Sequence, residues 1–160
     1  MTMTTRNFTV LTAFLLTVYA VSALGALSTA PAVGGWYLTI QKPAWTPPSW
    51  LFGPVWAILY TMMAVAAWLV WRRHGTTRRL AALCVFALQL FLNALWSPLF
   101  FGLHRIDLAA LDIIAIWLAI LVTIVLFVRV RPLAGWLLVP YLLWCSYAAA
   151  LNVAIWRLNP

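Results

Sequence analysis

Five apolar runs, at about 7–27, 51–71, 79–101, 107–128 and 134–156, dominate the chain. Short polar breaks separate the last four: 72–78 (RRHGTTR), 102–106 (GLHRI) and 129–133 (RVRPL). Each run supplies the roughly 20 residues that a helix needs to cross about 30 Å of hydrocarbon. The pattern predicts an all-α membrane protein, a bundle of five transmembrane helices forming one domain over residues 1–160. The first break, 28–50, has a different texture. Its second part, WYLTIQKPAWTPPSW (36–50), packs three tryptophans, three prolines and a lysine into fifteen residues. Pro43, Pro47 and Pro48 fix φ and remove backbone donors, so no long helix runs through. A long structured loop is expected there, stiff enough to act as a lid.

Polar and aromatic positions inside the runs fall into stripes. Gln89, Asn93 and Trp96 recur at i, i+4 and i+7 on the third helix, either as amide contacts between helices or as a pocket lining. Trp56 and Tyr60, continued by Met63, share a face of the second helix. Trp144, Ala148, Leu151 and Ile155 share a face of the fifth, with Asn152 beside them. Pro54 is expected in the first turn of the second helix, a bend or an end near Pro98, and a kink at Pro140.

Composition agrees with a lipid surround: 66% of residues are hydrophobic and 8% charged, with a mean hydropathy of +1.01. A soluble domain of this size needs more charge on its surface. The net charge of +8 suggests nucleic acid only until the cations are placed. Across five spans, Arg6, Arg72, Arg73, Arg78, Arg79, Arg129 and Arg131 fall on one side, and Lys42, Arg105 and Arg157 on the other. In an inner or plasma membrane this bias puts the N-terminus and the 72–78 loop in the cytoplasm; an outer-membrane location would remove the basis for that assignment. No nucleic-acid surface is implied. Ser22-Ala23-Leu24-Gly25-Ala26 imitates a signal-peptide cleavage site, but the long apolar stretch with only Arg6 nearby reads as a retained first helix.

Several chemistries drop out. Cys84 and Cys145 lie in apolar runs and His74 and His104 in breaks, without metal-ligand spacing. Buried free cysteine acts as a small hydrophobe. Glutamate is absent and Asp107 and Asp112 are the only acids, which argues against catalysis by paired carboxylates. Trp50, Trp68, Trp71, Trp136 and Trp156 sit near span ends, as interfacial anchors do, whereas Trp117 is mid-span and reads as packing or lipid-facing. Trp56, Trp96 and Trp144 share faces with aromatics, amides or small residues, as the walls of a cavity for a large flat ligand would.

In order along the chain, WY–x3–Q–KP–x–W–x–PP–x–W at 36–50, GPVW–x2–LY at 53–60, QL–x2–N–x2–W–x–P–x–FFG at 89–102, VPYLLW at 139–144 and A–x2–LN–x3–WRLN at 148–159 resemble the translocator protein family. Its members are also called tryptophan-rich sensory proteins or peripheral benzodiazepine receptors. The resemblance implies a five-helix bundle, often a homodimer, with a pocket under the first loop. It implies binding of porphyrins such as protoporphyrin IX, with no required cofactor, and in mammalian members of cholesterol and benzodiazepine-type drugs. Carried over, the ligand-binding residues are Tyr37, Trp56, Tyr60, Asn93, Trp96, Trp144, Ala148 and Leu151, and Trp36 is expected to close over the ligand beside Tyr37 as part of the lid. Leu108 stands where mammalian relatives carry a tryptophan. The sterol motif of the last helix is incomplete, with Val153 and Ala154 in LNVAIWR (151–157). Cys84 and Leu88 occupy the small-residue dimer positions of the third helix, although Ala81, Cys84 and Ala87 still permit close approach.

The expected function is porphyrin binding in a membrane as sensor, scavenger or carrier. One alternative is a light-dependent porphyrin-degrading enzyme using Trp56 and Trp144. Another is a small-molecule transporter, for which Asp112 is the one candidate proton site; an ordinary partner near the interface is the expected fate of that carboxyl group.

Overall fold

The computed structural model describes residues 3–75 and 77–159. Thr76 of the predicted 72–78 break, and the terminal residues 1, 2 and 160 of the predicted domain, lie outside the described residues. The helices are α1 (Met3–Val33), α2 (Trp36–Thr39), α3 (Ser49–Trp71), α4 (Arg78–Ser97), α5 (Ile106–Val130), α6 (Pro132–Trp136) and α7 (Val139–Leu158). A wide turn, Pro98–Gly102, continues α4. Five stretches are long and apolar enough to cross a membrane, with α6 and α7 together forming the fifth. The protein is an integral multi-pass membrane protein.

The ends differ from the sequence reading in four places, each for a local reason. The first helix runs past residue 27 to Val33, includes Pro31 and stops before Gly34-Gly35. The loop is therefore shorter than 28–50 and itself contains the single turn α2. α3 begins directly after Pro48, which is extended at ψ 139°; Pro47 and Pro48 bias their predecessors, Thr46 and Pro47, away from helix. Pro54 then falls inside α3, not in its first turn, and leaves the Trp50 carbonyl without a helical donor. Pro140 lies in the first turn of α7, where its missing N–H removes nothing. The expected interior kink is instead a break at Leu137-Leu138 between α6 and α7. At Pro98 the bend does form: Leu103 N–H reaches back to the Pro98 carbonyl at 2.8 Å, an over-wide turn of the sort found at functional sites.

α1 packs against α3 and α4, α4 against α5, α5 against α7, and α6 against α3 and α5. Small residues allow the close approaches, since Ala64, Ala66 and Ala67 of α3, Ala82 of α4 and Ala134 of α6 are completely buried. Without a hydrophobic drive inside lipid, such contacts and interhelical hydrogen bonds hold the bundle. Large apolar side chains such as Ile58, Leu88, Leu111 and Leu143 face outward, as a lipid solvent requires. Trp117 proves to be a packing residue, its Nε1 donating to Ser146 Oγ at 2.8 Å between α5 and α7.

Candidate ligand cavity

All five spans contribute to a cavity of about 350 Å³ beneath the first loop. Trp56 and Tyr60 enter from α3, Asn93 and Trp96 from α4, and Trp144, Ala148 and Leu151 from α7, with Tyr37 from α2 above. Eight of the nine residues expected from the sequence therefore share one space. Trp36 does not line it. Its ring stacks on His104 at 4.1 Å and meets Phe100 edge-on at 5.7 Å, so it packs behind the wall.

The floor is a hydrogen-bonded relay across three helices. Tyr60 Oη donates to Asn93 Oδ1 at 2.6 Å, Asn93 Nδ2 to Tyr141 Oη at 2.9 Å, and Tyr141 Oη to Gln89 Oε1 at 3.1 Å. Gln89 Nε2 ends the chain on Met63 Sδ at 3.9 Å. The two readings of the amide stripe thus divide by residue. Gln89 ties helices together, Asn93 does this while facing the cavity, and Trp96 does likewise, donating from Nε1 to Asn152 Oδ1 at 3.0 Å. Asn152 in turn donates to the Ile106 carbonyl at 3.1 Å, fixing α7 to the start of α5.

The walls are aromatic. Trp56 lies 5.4 Å from Tyr60 and 6.1 Å from Tyr141. Trp96 stacks on Phe100 at 5.0 Å, and Trp144 meets Phe52 edge-on at 5.8 Å. No charged side chain among the described residues lines the cavity. Trp144 Nε1 is buried and has no hydrogen-bond partner among the described residues, although buried indole N–H groups normally find one.

The loop is pinned at several points. Gln41 N donates to Asn159 Oδ1 at 3.0 Å, and Asn159 Nδ2 returns a bond to the Gln41 carbonyl at 2.9 Å. Tyr147 Oη donates to the Trp45 carbonyl at 2.7 Å. Lys42 Nζ donates to the carbonyls of Tyr37 and Ile40 and lies 4.7 Å above the Tyr37 ring. Burial first, and the nearby Tyr147 phenol second, push the Tyr37 hydroxyl above its ordinary pKa, so it stays neutral. His104, against which Trp36 stacks, has a left-handed φ of 54°, the only such non-glycine position among the described residues.

Sequence reasoning missed the α1 wall of Ser22, Gly25, Ala26 and Thr29. A usable signal existed, because small residues recur there at helical spacing. A Cβ on Gly25 would lie 3.2 Å from Ser97 Oγ, so α1 and α4 approach closely at that level. Phe52, Phe100 and Asn152 were also missed as lining residues, and Tyr141 as their support. The partner expected for Asp112 is not found: its Oδ2 is buried without one among the described residues, and the residue stands apart from the cavity lining. The turns around it, LAALDIIAI (108–116), hold no other hydrogen-bonding side chain.

An aromatic, uncharged cavity enclosed by five membrane-spanning helices and roofed by a pinned loop defines a class of small membrane proteins. The TspO/MBR family model matches residues 13–157. The chain is 41% identical to the tryptophan-rich protein TspO of Archaeoglobus fulgidus, over 96% of this chain and 99% of that one. It is 40% identical to protein CrtK of Rhodobacter capsulatus over 94% of each. Human translocator protein is 40% identical over 78% of this chain and 75% of its own. The chain belongs to the TspO/MBR family of translocator and tryptophan-rich sensory proteins.

Proposed function

We propose that the cavity binds a flat, largely apolar ring ligand of the tetrapyrrole class, represented by protoporphyrin IX, and that the protein is its membrane sensor, scavenger or carrier. The observation that carries this reading is the wall itself: Trp56, Trp96 and Trp144 around one space, with Tyr60, Asn93 and Asn152 among its few polar groups and no charge among the described residues. Such a mix, mostly apolar with a few placed polar groups, is what small-molecule sites show. At about 350 Å³, the space is near the low end of the roughly 300–1,000 Å³ range for ligand pockets, so a macrocycle would enter with Tyr37 drawn back. Acid groups on the ring edge would find no cation in the wall. They would point toward the loop, the side of Lys42, Arg105 and Arg157. In an inner or plasma membrane the arginine bias would orient that side away from the cytoplasm.

Protoporphyrin titration should quench tryptophan fluorescence with an affinity on the order of micromolar or tighter. Unchanged binding in the Trp56→Phe/Trp144→Phe double variant would remove the cavity as the site.

A further inference from the structure

At the end of the bundle opposite the loop, α1, α3 and α4 converge on one imidazole. Arg6 Nη2 lies 3.2 Å from His74 Nε2, and Arg79 Nη1 lies 2.8 Å from His74 Nδ1. Arg79 Nη1 also donates to the Trp71 carbonyl at 3.2 Å. The Arg6 guanidinium lies 5.5 Å from the Trp71 ring centre and that of Arg72 4.7 Å from the Trp68 ring centre. Trp68 is itself fastened to α1, its Nε1 donating to the Asn7 carbonyl at 3.0 Å.

Among the described residues the side chains of this largely exposed cluster do not balance by themselves. Guanidinium groups only donate, and a neutral imidazole offers a single acceptor nitrogen. One of the two arginine contacts on His74 therefore sets a donor against a donor. No carboxylate among the described residues relieves it. Asp107 is held by Arg105, through Nε at 2.9 Å and Nη2 at 2.6 Å, at the far end of α5. Asp112, the other acid, is about 27 Å of helix rise from the end of α5 on this side. α4 also begins here at Arg78 with no side-chain cap from Thr77, so its first N–H groups and positive dipole end face the same region. A topology rule accounts for the number of cations on this face. It does not account for two of them sharing one imidazole.

We propose that Arg6, His74 and Arg79 form a binding site for a phosphoryl anion, supplied by the headgroup of an anionic phospholipid. Phosphate oxygens would accept from both guanidinium groups in place of solvent. A lipid source is favoured by place: Trp68 and Trp71 set this level at the headgroup boundary, where arginine clusters between spanning helices meet anionic headgroups. The site is separate from the cavity and does not depend on what the cavity binds.

The test uses the full chain in detergent, with bound lipid counted by native mass spectrometry during titration with dioleoyl-phosphatidylglycerol or dioleoyl-phosphatidylcholine. Phosphatidylglycerol should bind in preference. Arg6→Gln/Arg79→Gln should weaken it about 30-fold, while Arg129→Gln/Arg131→Gln, equal in charge, should stay within about threefold. Arg129 and Arg131 join none of these contacts among the described residues. Arg6→Lys/Arg79→Lys keeps charge but loses the planar fork, so it should fall between the two and remain usable if the glutamine pair fails to fold. Equal losses in the two glutamine pairs, full binding by the lysine pair, or no wild-type preference would overturn the site. Thermal stabilisation by inorganic phosphate alone equal to that by phosphatidylglycerol would overturn the lipid source.

Discussion

Removing one oxygen from Tyr141 tests the relay under the cavity. Tyr141 is 1% exposed and does not line the cavity, so Tyr141→Phe changes no lining side chain. It deletes the bond from Asn93 Nδ2 and the bond to Gln89 Oε1. Interhelical hydrogen bonds within membranes average about 0.6 kcal/mol, with a maximum near 1.7. Two such bonds give about 1.2 kcal/mol. The two amide groups left behind are buried, and an unsatisfied buried group costs about 1–3 kcal/mol. Asn93 and Gln89 keep their other partners, Tyr60 and Met63, which limits the damage. A loss of about 1–3 kcal/mol is expected, read from detergent–SDS unfolding of the full chain. The variant should also couple to Asn93→Ala, because that substitution removes the same bond; an interaction term above about 0.5 kcal/mol is expected in the double-mutant cycle. Additivity within about 0.3 kcal/mol would refute the relay as a unit.

Asn159→Ala removes both bonds to Gln41, and losing about 1.4 kcal/mol of closure should speed ligand release about tenfold; an unchanged off-rate would leave the loop a mere connector. Gly135→Ala should destabilise the bundle by about 1–3 kcal/mol through overpacking, since its Cβ would collide with Val128 Cγ2 and lie 3.0 Å from the Ile124 carbonyl oxygen; wild-type unfolding would show that α6 moves freely against α5. Ala81, Cys84, Ala87 and Leu88 all face outward on α4. If that face pairs two copies, mild oxidation of the Cys145→Ala variant should give a disulfide-linked dimer through Cys84; an exclusively monomeric product in membranes would count against that pairing face.

The spans were legible because lipid imposes one simple rule, twenty apolar residues with internal hydrogen bonding. Site residues on α3, α4 and α7 were legible because each sits in a stripe at helical spacing. α1 was overlooked, because its contribution to the wall is mostly an absence: Gly25 and Ala26 make room, and their helical spacing with Ser22 and Thr29 is the one signal they leave. Proline positions were misjudged at Pro54 and Pro140, where the actual helix starts, Ser49 and Val139, decide whether a missing N–H matters. Trp36 was placed in the cavity because it neighbours Tyr37. On the single turn of α2 adjacent side chains diverge by about 100°, so Tyr37 faces inward while Trp36 turns to His104.

The uncharged wall has an electrical consequence. A charge carried across the full membrane potential exchanges about 2.3 kcal/mol per 100 mV, and none of the cavity's side chains carries one. A neutral guest entering or leaving from the loop side would do no work against the field. A ring with its acid edge at the mouth would hold its charge in the shallow outer part of that field. Occupancy should therefore be nearly independent of voltage, leaving an energised membrane able to fill and empty this cavity by concentration alone.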